Sequence, residues 1–255
     1  MPYAKNQEVR IHYRVEGAGL PLVLQHGYTD SLESWYEQGY VGALQHACRL
    51  ILIDARGHGA SDKPHHPDAY ATEHQVADIL AVLDALDLPT ANFWGFSMGG
   101  QIGFGLAKHA ARRFTSLILG GADPYQGNRA ERDKWLPMLR QGMDGFIQQI
   151  WESGGPISPG FRARLLANDV DALIANRIKV MERPDFAEVL SSMHMRCLLY
   201  VGEADGRYAG LKACVPHLPD ATFVSLPGLN HIESFYRADL VLPHVMRFLP
   251  IAPTR

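Results

Sequence analysis

The sequence predicts an α/β fold in which a mostly parallel sheet is flanked by helices and interrupted once by a helical insertion. Three observations carry that reading. Apolar runs of strand length alternate with helix-periodic segments as far as residue 122, strand patterning lapses to about residue 191, and it resumes at Arg196. One apolar run, Asn92 to Phe96, meets the motif Gly95-Phe96-Ser97-Met98-Gly99 just before a helical segment. The length of 255 residues, 47% hydrophobic and 20% charged, suits one such domain with an insertion.

In chain order, residues 8 to 16 alternate apolar and polar, the pattern of a half-exposed strand at a sheet edge. Gly17 and Gly19 end it. Leu20 to Gln25 is a denser run, read as a strand covered on both faces, and it delivers His26-Gly27-Tyr28-Thr29-Asp30. Residues 31 to 47 read as helix. Arg49 to Asp54 is a buried strand ending in the glycine-rich loop Ala55-Arg56-Gly57-His58-Gly59-Ala60-Ser61-Asp62. Between Tyr70 and Leu88, Val76, Ile79, Leu80, Leu83 and Leu86 share one helical face. A helix follows Ser97 to about Arg113, and Thr115 to Gly120 is the next strand. From 125 to 190 helical periodicity with glycines and prolines replaces strands, which predicts a helical lid between a first core part, 1–124, and a second, 191–255. Arg196 to Val201 resumes the sheet. A short helix over 207 to 217, a strand over 222 to 226 and an amphipathic helix from Ile232 to Leu249 close the chain.

Bulk properties exclude several functions. The net charge is −3 and no basic block occurs, so nothing offers an electrostatic footprint for nucleic acid or an anionic membrane. The opening Met-Pro-Tyr-Ala-Lys-Asn-Gln has no apolar signal core, and no apolar run reaches membrane-spanning length. A cytoplasmic address is the default expectation. Three cysteines, Cys48, Cys197 and Cys214, lack the spacing of a zinc or redox site, and Cys48 and Cys197 adjoin buried strands as core thiols. Twelve histidines include no His-Glu-x-x-His pattern, so neither metal nor cofactor is expected. His65 and His66, beside Pro64 and Pro67, read as exposed loop.

The chemistry gathers at strand ends. Gly-x-Ser-x-Gly is a weak motif alone, since Gly99, Gly100, Gly103 and Gly105 equally describe a helix packed tightly on a sheet. Context strengthens it. A strand-to-helix turn of this kind strains the serine backbone and projects Ser97 toward substrate, while the amide of Met98 sits at the positive end of the following helix. Downstream, Asp205 and His231 also follow apolar strands. Serine needs a base to take its proton, histidine titrates near neutrality, and a carboxylate must hold the imidazole in the useful tautomer. Glu203 and Asp123 are alternative carboxylates.

Taken together, these motifs resemble the α/β-hydrolase superfamily in the order Ser, Asp, His. The resemblance rests on His26-Gly27, Trp35, the run from Asp54 to Pro64, Gly95 to Gly100, Gly202-Glu203-Ala204-Asp205 and His231. It implies an eight-stranded sheet, a backbone oxyanion hole from Tyr28 and Met98, and structural roles for His26, His58 and the Arg56 to Ser61 loop. Two departures stand out. Asn230 replaces the glycine usual before the histidine, and the short loop after Asp205 lacks the usual proline. The implied activity is cofactor-independent cleavage of a small carboxylic ester or lactone, with same-fold carbon–carbon bond hydrolases, haloperoxidase-like perhydrolases and a ligand receptor as alternatives. Tyr125, Trp135 and Trp151, with Phe146 and Phe161, predict a largely apolar, aromatic substrate pocket. Oligomeric state has no sequence signal.

Overall fold

A computed structural model describes residues 2–126, 133–152, 157–183 and 185–251. Eight strands form one sheet: β1 (Tyr3–Asn6), β2 (Val9–Glu16), β3 (Leu20–Gln25), β4 (Cys48–Ile53), β5 (Ala91–Phe96), β6 (Phe114–Gly120), β7 (Arg196–Gly202) and β8 (Ala221–Leu226). The spatial order is β1-β2-β4-β3-β5-β6-β7-β8. β2 runs antiparallel to both β1 and β4, and the pairs from β4 through β8 are parallel.

Alternation along each central strand divides the core in two. Val23, Ile51, Phe93, Leu117 and Leu199 face the helices Thr72–Ala85, Met98–Ala110 and Tyr208–Cys214. Their neighbours Leu24, Leu52, Trp94, Ile118 and Leu198 face Trp35, Tyr40 and the C-terminal helix Ala238–Phe248. Strands covered on both faces read as unbroken apolar runs, which is why β3 to β7 are visible in the sequence. Trp94 is fully buried and its Nε1 donates to Tyr200 Oη at 3.1 Å, as befits a core position.

Some elements differ from expectation. β2 is not at the sheet edge, because β1, a four-residue strand with only Ala4 buried, covers it. Ile11, His12 and Tyr13 are buried in succession, so the period-two pattern fails where His12 Nδ1 meets Asp54 Oδ2 at 2.7 Å. The span 31 to 47 is two helices, Glu33–Glu37 and Tyr40–Leu44, separated by Gly39 at φ +81°. Likewise the closing helix is two, Glu233–Tyr236 and Ala238–Phe248, broken at Arg237. Between β6 and β7 the described residues hold four α-helices, Trp135–Leu139, Met143–Ile150, Pro159–Leu166 and Val170–Glu182, and no strand. All three cysteines are buried free thiols.

The loop after β4 is held by charge. Asp54 accepts from the amides of Leu32 and Ala60, both at 2.9 Å, and so ties two loops together. Arg56 donates through Nε and Nη2 to Asp78 at 2.6 Å each, with both side chains buried. Removing one partner of such a pair leaves an uncompensated buried charge, so Arg56→Ala should destabilise the protein by about 3–5 kcal/mol in urea denaturation. Arg56→Ala combined with Asp78→Ala should recover part of that loss. A loss below about 1 kcal/mol in the single variant would show that the loop tolerates the lone carboxylate.

Candidate active site

The site starts from a backbone constraint. Ser97 has φ 56° and ψ −109°, a conformation that costs a non-glycine residue about 1–3 kcal/mol and persists only where its surroundings enforce it. Those surroundings are close-packed glycines. A Cβ on Gly95 would lie 2.2 Å from the carbonyl oxygen of Gly99, and one on Gly99 would lie 2.2 Å from that of Gln25. The Ser97 amide donates to Gly120 O at 2.8 Å, and Ser97 O accepts from Gln101 at 3.0 Å, which fixes the turn between β5 and the next helix.

Three strand ends then converge. His231 Nε2 lies 2.9 Å from Ser97 Oγ, and His231 Nδ1 lies 2.6 Å from Asp205 Oδ2. Asp205 Oδ1 accepts from the Arg207 amide at 2.9 Å, so the carboxylate is pinned on one oxygen and offers the other to the imidazole. The competing carboxylates point elsewhere. Glu203 is exposed and accepts from Ser225 Oγ at 2.6 Å, while Asp123 Oδ1 accepts from the Tyr125 amide at 3.0 Å.

Electrostatics favour a neutral histidine beside a charged aspartate. Burial lowers the His231 pKa from its usual 6.5, the nearby Arg207 charge lowers it further, and together they outweigh the raising effect of Asp205. For Asp205, burial pushes upward but is outweighed by the His231 hydrogen bond and charge and by Arg207, so its pKa falls below the ordinary carboxylate value. A neutral imidazole can accept a proton, and an ionised carboxylate can stabilise the imidazolium that results.

The backbone at Tyr28 and Met98 lies close to the serine. Met98 opens its helix, and a Cβ on Gly27 would lie 3.4 Å from Ser97 Cβ, so the Gly27-Tyr28 backbone passes against the serine. Among the described residues neither the Tyr28 nor the Met98 amide donates a hydrogen bond to another protein group. The Tyr28 side chain faces the inserted helices, with Oη donating to Leu173 O at 2.7 Å, and Asn168 Nδ2 donates to Thr29 O at 3.0 Å. His26 braces this loop, with Nε2 accepting from the Ala55 amide at 3.1 Å. His58 is fully buried behind it, and burial holds its pKa down to about 3.

Two cavities meet at Ser97. One of about 430 Å³ is lined by Tyr125, Trp135, Gln101, Asp133, Arg177 and Arg207 among others. The second, about 320 Å³, is lined by Phe96, Trp135, Ile150, Trp151, Phe235 and Tyr236 together with His231. Tyr125, Trp135 and Trp151 therefore all line a cavity that reaches Ser97. Phe146 does not, being fully buried against Leu139 and Leu173 with Trp135 edge-on at 5.6 Å, and Phe161 instead packs edge-on against Trp151 at 5.0 Å. The larger cavity is also less apolar than the aromatic residues predict. Sequence reading missed Arg177, whose signal was its position four residues after the buried Leu173 on one helix, a charge on an inward face.

Residues 21–193 match the protein-family model described as alpha/beta hydrolase fold. The chain belongs to that family. The alpha/beta hydrolases most similar to it include the 3-oxoadipate enol-lactonase 2 of Acinetobacter baylyi, 36% identical over 83% of this chain and 74% of the relative. A non-heme haloperoxidase of Rhodococcus erythropolis is 26% identical over 98% of this chain and 99% of the relative. Among solved structures, a hydrolase from Pseudomonas aeruginosa superposes with a TM-score of 0.85 at 27% identity, covering 98% of both chains. Among the described residues, no cluster of three or more His, Cys, Asp or Glu side chains is poised for a metal, and no helix is long and apolar enough to cross a membrane.

Proposed function

We propose that this hydrolase-fold protein cleaves a small carboxylic ester or lactone through an acyl-enzyme on Ser97. The observation that carries the proposal is the continuous Asp205–His231–Ser97 hydrogen-bonded chain at a strained strand-to-helix turn. In the first half-reaction Ser97 Oγ attacks the carbonyl carbon and its proton passes to His231 Nε2. The resulting oxyanion accepts from the Tyr28 and Met98 amides, where the helix terminus adds favourable potential. Collapse breaks the acyl–oxygen bond, and His231 returns the proton to the departing alkoxide. Water then attacks the ester on Ser97 with His231 as base, releasing the acid and restoring the serine.

Helices within residues 125 to 190 serve as the lid in this reading, because Tyr125, Trp135, Trp151 and Arg177 line the cavities above Ser97. The enol-lactonase relative supports the choice of an ester or lactone bond. The decisive test is a panel of p-nitrophenyl esters of graded acyl length beside a lactone series, with the acid and alcohol products identified. Multiple turnover on at least one ester or lactone is the expected result. A haloperoxidase-like perhydrolase would instead form peracid from peroxide and acid at a rate exceeding ester hydrolysis, and a receptor would bind ligand with negligible turnover. Either outcome would displace the proposal.

A further inference from the structure

We infer that the preferred substrate carries a carboxylate on one side of the scissile bond, received by Arg177, and an apolar arm on the other; this rests on the Ser97 reaction proposed above. Arg177 lies on the helix Val170–Glu182 and lines the larger cavity beside Ser97, Tyr28 and Trp135. Its guanidinium is oriented in two ways. The plane lies over Trp135, with Cζ 5.0 Å from the ring centroid, and Nε and Nη2 both donate to a single oxygen of Asp133, at 3.0 and 2.5 Å. A two-oxygen clasp by Asp133 would satisfy the side chain more fully. Here Nη1 has no hydrogen-bond partner among the described residues, although the side chain is only 18% exposed.

A fork held at one edge and open at the other is prepared to bind a second carboxylate, because the guanidinium loses little freedom on binding. Arg207 adds a second positive charge to the same cavity, with Nη1 3.3 Å from His231 Nδ1. Asp133 and Asp123 also line this cavity, so the formal charges of its described lining residues cancel. Selectivity must therefore come from the directed Arg177 donor and not from a broad positive field. The smaller cavity offers the complementary surface, since Phe96, Ile150, Trp151 and Phe235 line it and it shares Ser97 and Trp135 with the first. Bond cleavage at Ser97 thus falls where an anionic arm and an apolar arm meet.

The test compares matched esters that differ in one terminal group. Monoethyl adipate against ethyl hexanoate places the carboxylate on the acyl side, and 4-acetoxybutanoate against butyl acetate places it on the alcohol side. The full-length protein should prefer one anionic member over its neutral partner by roughly 10- to 100-fold in kcat/KM. Arg177→Met should lower kcat/KM on the anionic member at least about tenfold more than on its neutral partner, with the difference carried by KM, and Arg177→Lys should restore part of the preference. Because Arg177→Met strands the Asp133 carboxylate, the Arg177→Met, Asp133→Asn double variant is measured alongside as a folded control. Equal rates on both members of each pair, or equal loss on both in the variants, would overturn the inference. Binding separates this failure from failure of the acyl-enzyme reading. Ser97→Ala should still bind adipate in calorimetry, and Ser97→Ala, Arg177→Met should bind it at least about tenfold more weakly. If esters are cleaved without Ser97, the mechanism falls while the adipate comparison still decides the role of Arg177; adipate binding indifferent to Arg177 rejects the carboxylate site whatever the mechanism.

Discussion

Ser97→Ala should lose on the order of 10⁴-fold or more in kcat on any ester the protein turns over, while retaining its fold. The expectation follows from what the hydroxyl does and what the backbone does without it. Ser97 Oγ is the part of the residue that reaches His231, at 2.9 Å, so alanine deletes the proposed nucleophile and leaves the proposed base and oxyanion donors standing. Alanine has the same Cβ as serine and meets the same strain at φ 56°, and the Ser97 amide keeps its bond to Gly120 O. The cost to stability should therefore stay within about 1 kcal/mol. A fluorophosphonate should label wild-type protein at Ser97 and leave Ser97→Ala unmodified, read by intact mass and peptide mapping. Retention of most esterase activity in the variant, or labelling at another residue, would move the chemistry elsewhere.

How far the sequence revealed this arrangement depends on what each residue answers to. Ser97 and Asp205 stood out as candidates because each follows a strand buried on both faces, and a buried apolar run locates its own end, whereas His231 follows the edge strand β8, of which only Val224 and Leu226 are buried. β1 was not legible. A four-residue strand with one buried side chain carries no pattern, and its presence displaced β2 from the edge. The breaks at Gly39 and Arg237 were missed because apolar periodicity continues across a turn that redirects the chain. Pocket polarity was the hardest to read. Aromatic residues in the insertion could be counted, but whether Phe146 faces its neighbours or the substrate depends on how short helices pack, and so does whether Arg177 turns inward. Those choices are made by tertiary contacts such as Trp135 over Arg177 and Tyr28 Oη on Leu173 O, between residues far apart in sequence.

Asp205→Asn should be nearly as damaging as loss of the serine, at about 10⁴-fold in kcat, a magnitude set by the equivalent change in a serine protease. The local hydrogen bonds explain why the asparagine cannot compensate. Asp205 Oδ1 accepts from the Arg207 amide at 2.9 Å, so the asparagine oxygen is drawn to that position and its NH₂ takes the place of Oδ2, 2.6 Å from His231 Nδ1. A donor there forces Nδ1 to accept. The imidazole proton then resides on Nε2, facing Ser97, and the ring cannot take the serine proton. The variant also loses the negative charge that raises the His231 pKa, leaving burial and Arg207, which both lower it. In wild-type protein the acid limb of kcat/KM should fall below the ordinary histidine value of 6.5, because activity is lost only when His231 becomes protonated. Residual activity in Asp205→Asn should have its acid limb displaced still lower, whereas Arg207→Met should move the limb upward by removing a lowering charge. Asp123→Asn and Glu203→Gln leave the Asp205–His231 bond intact, so each should stay within about tenfold of wild type and keep the wild-type acid limb. A severe effect at Asp123 with a mild one at Asp205 would place the orienting carboxylate after β6 instead of β7.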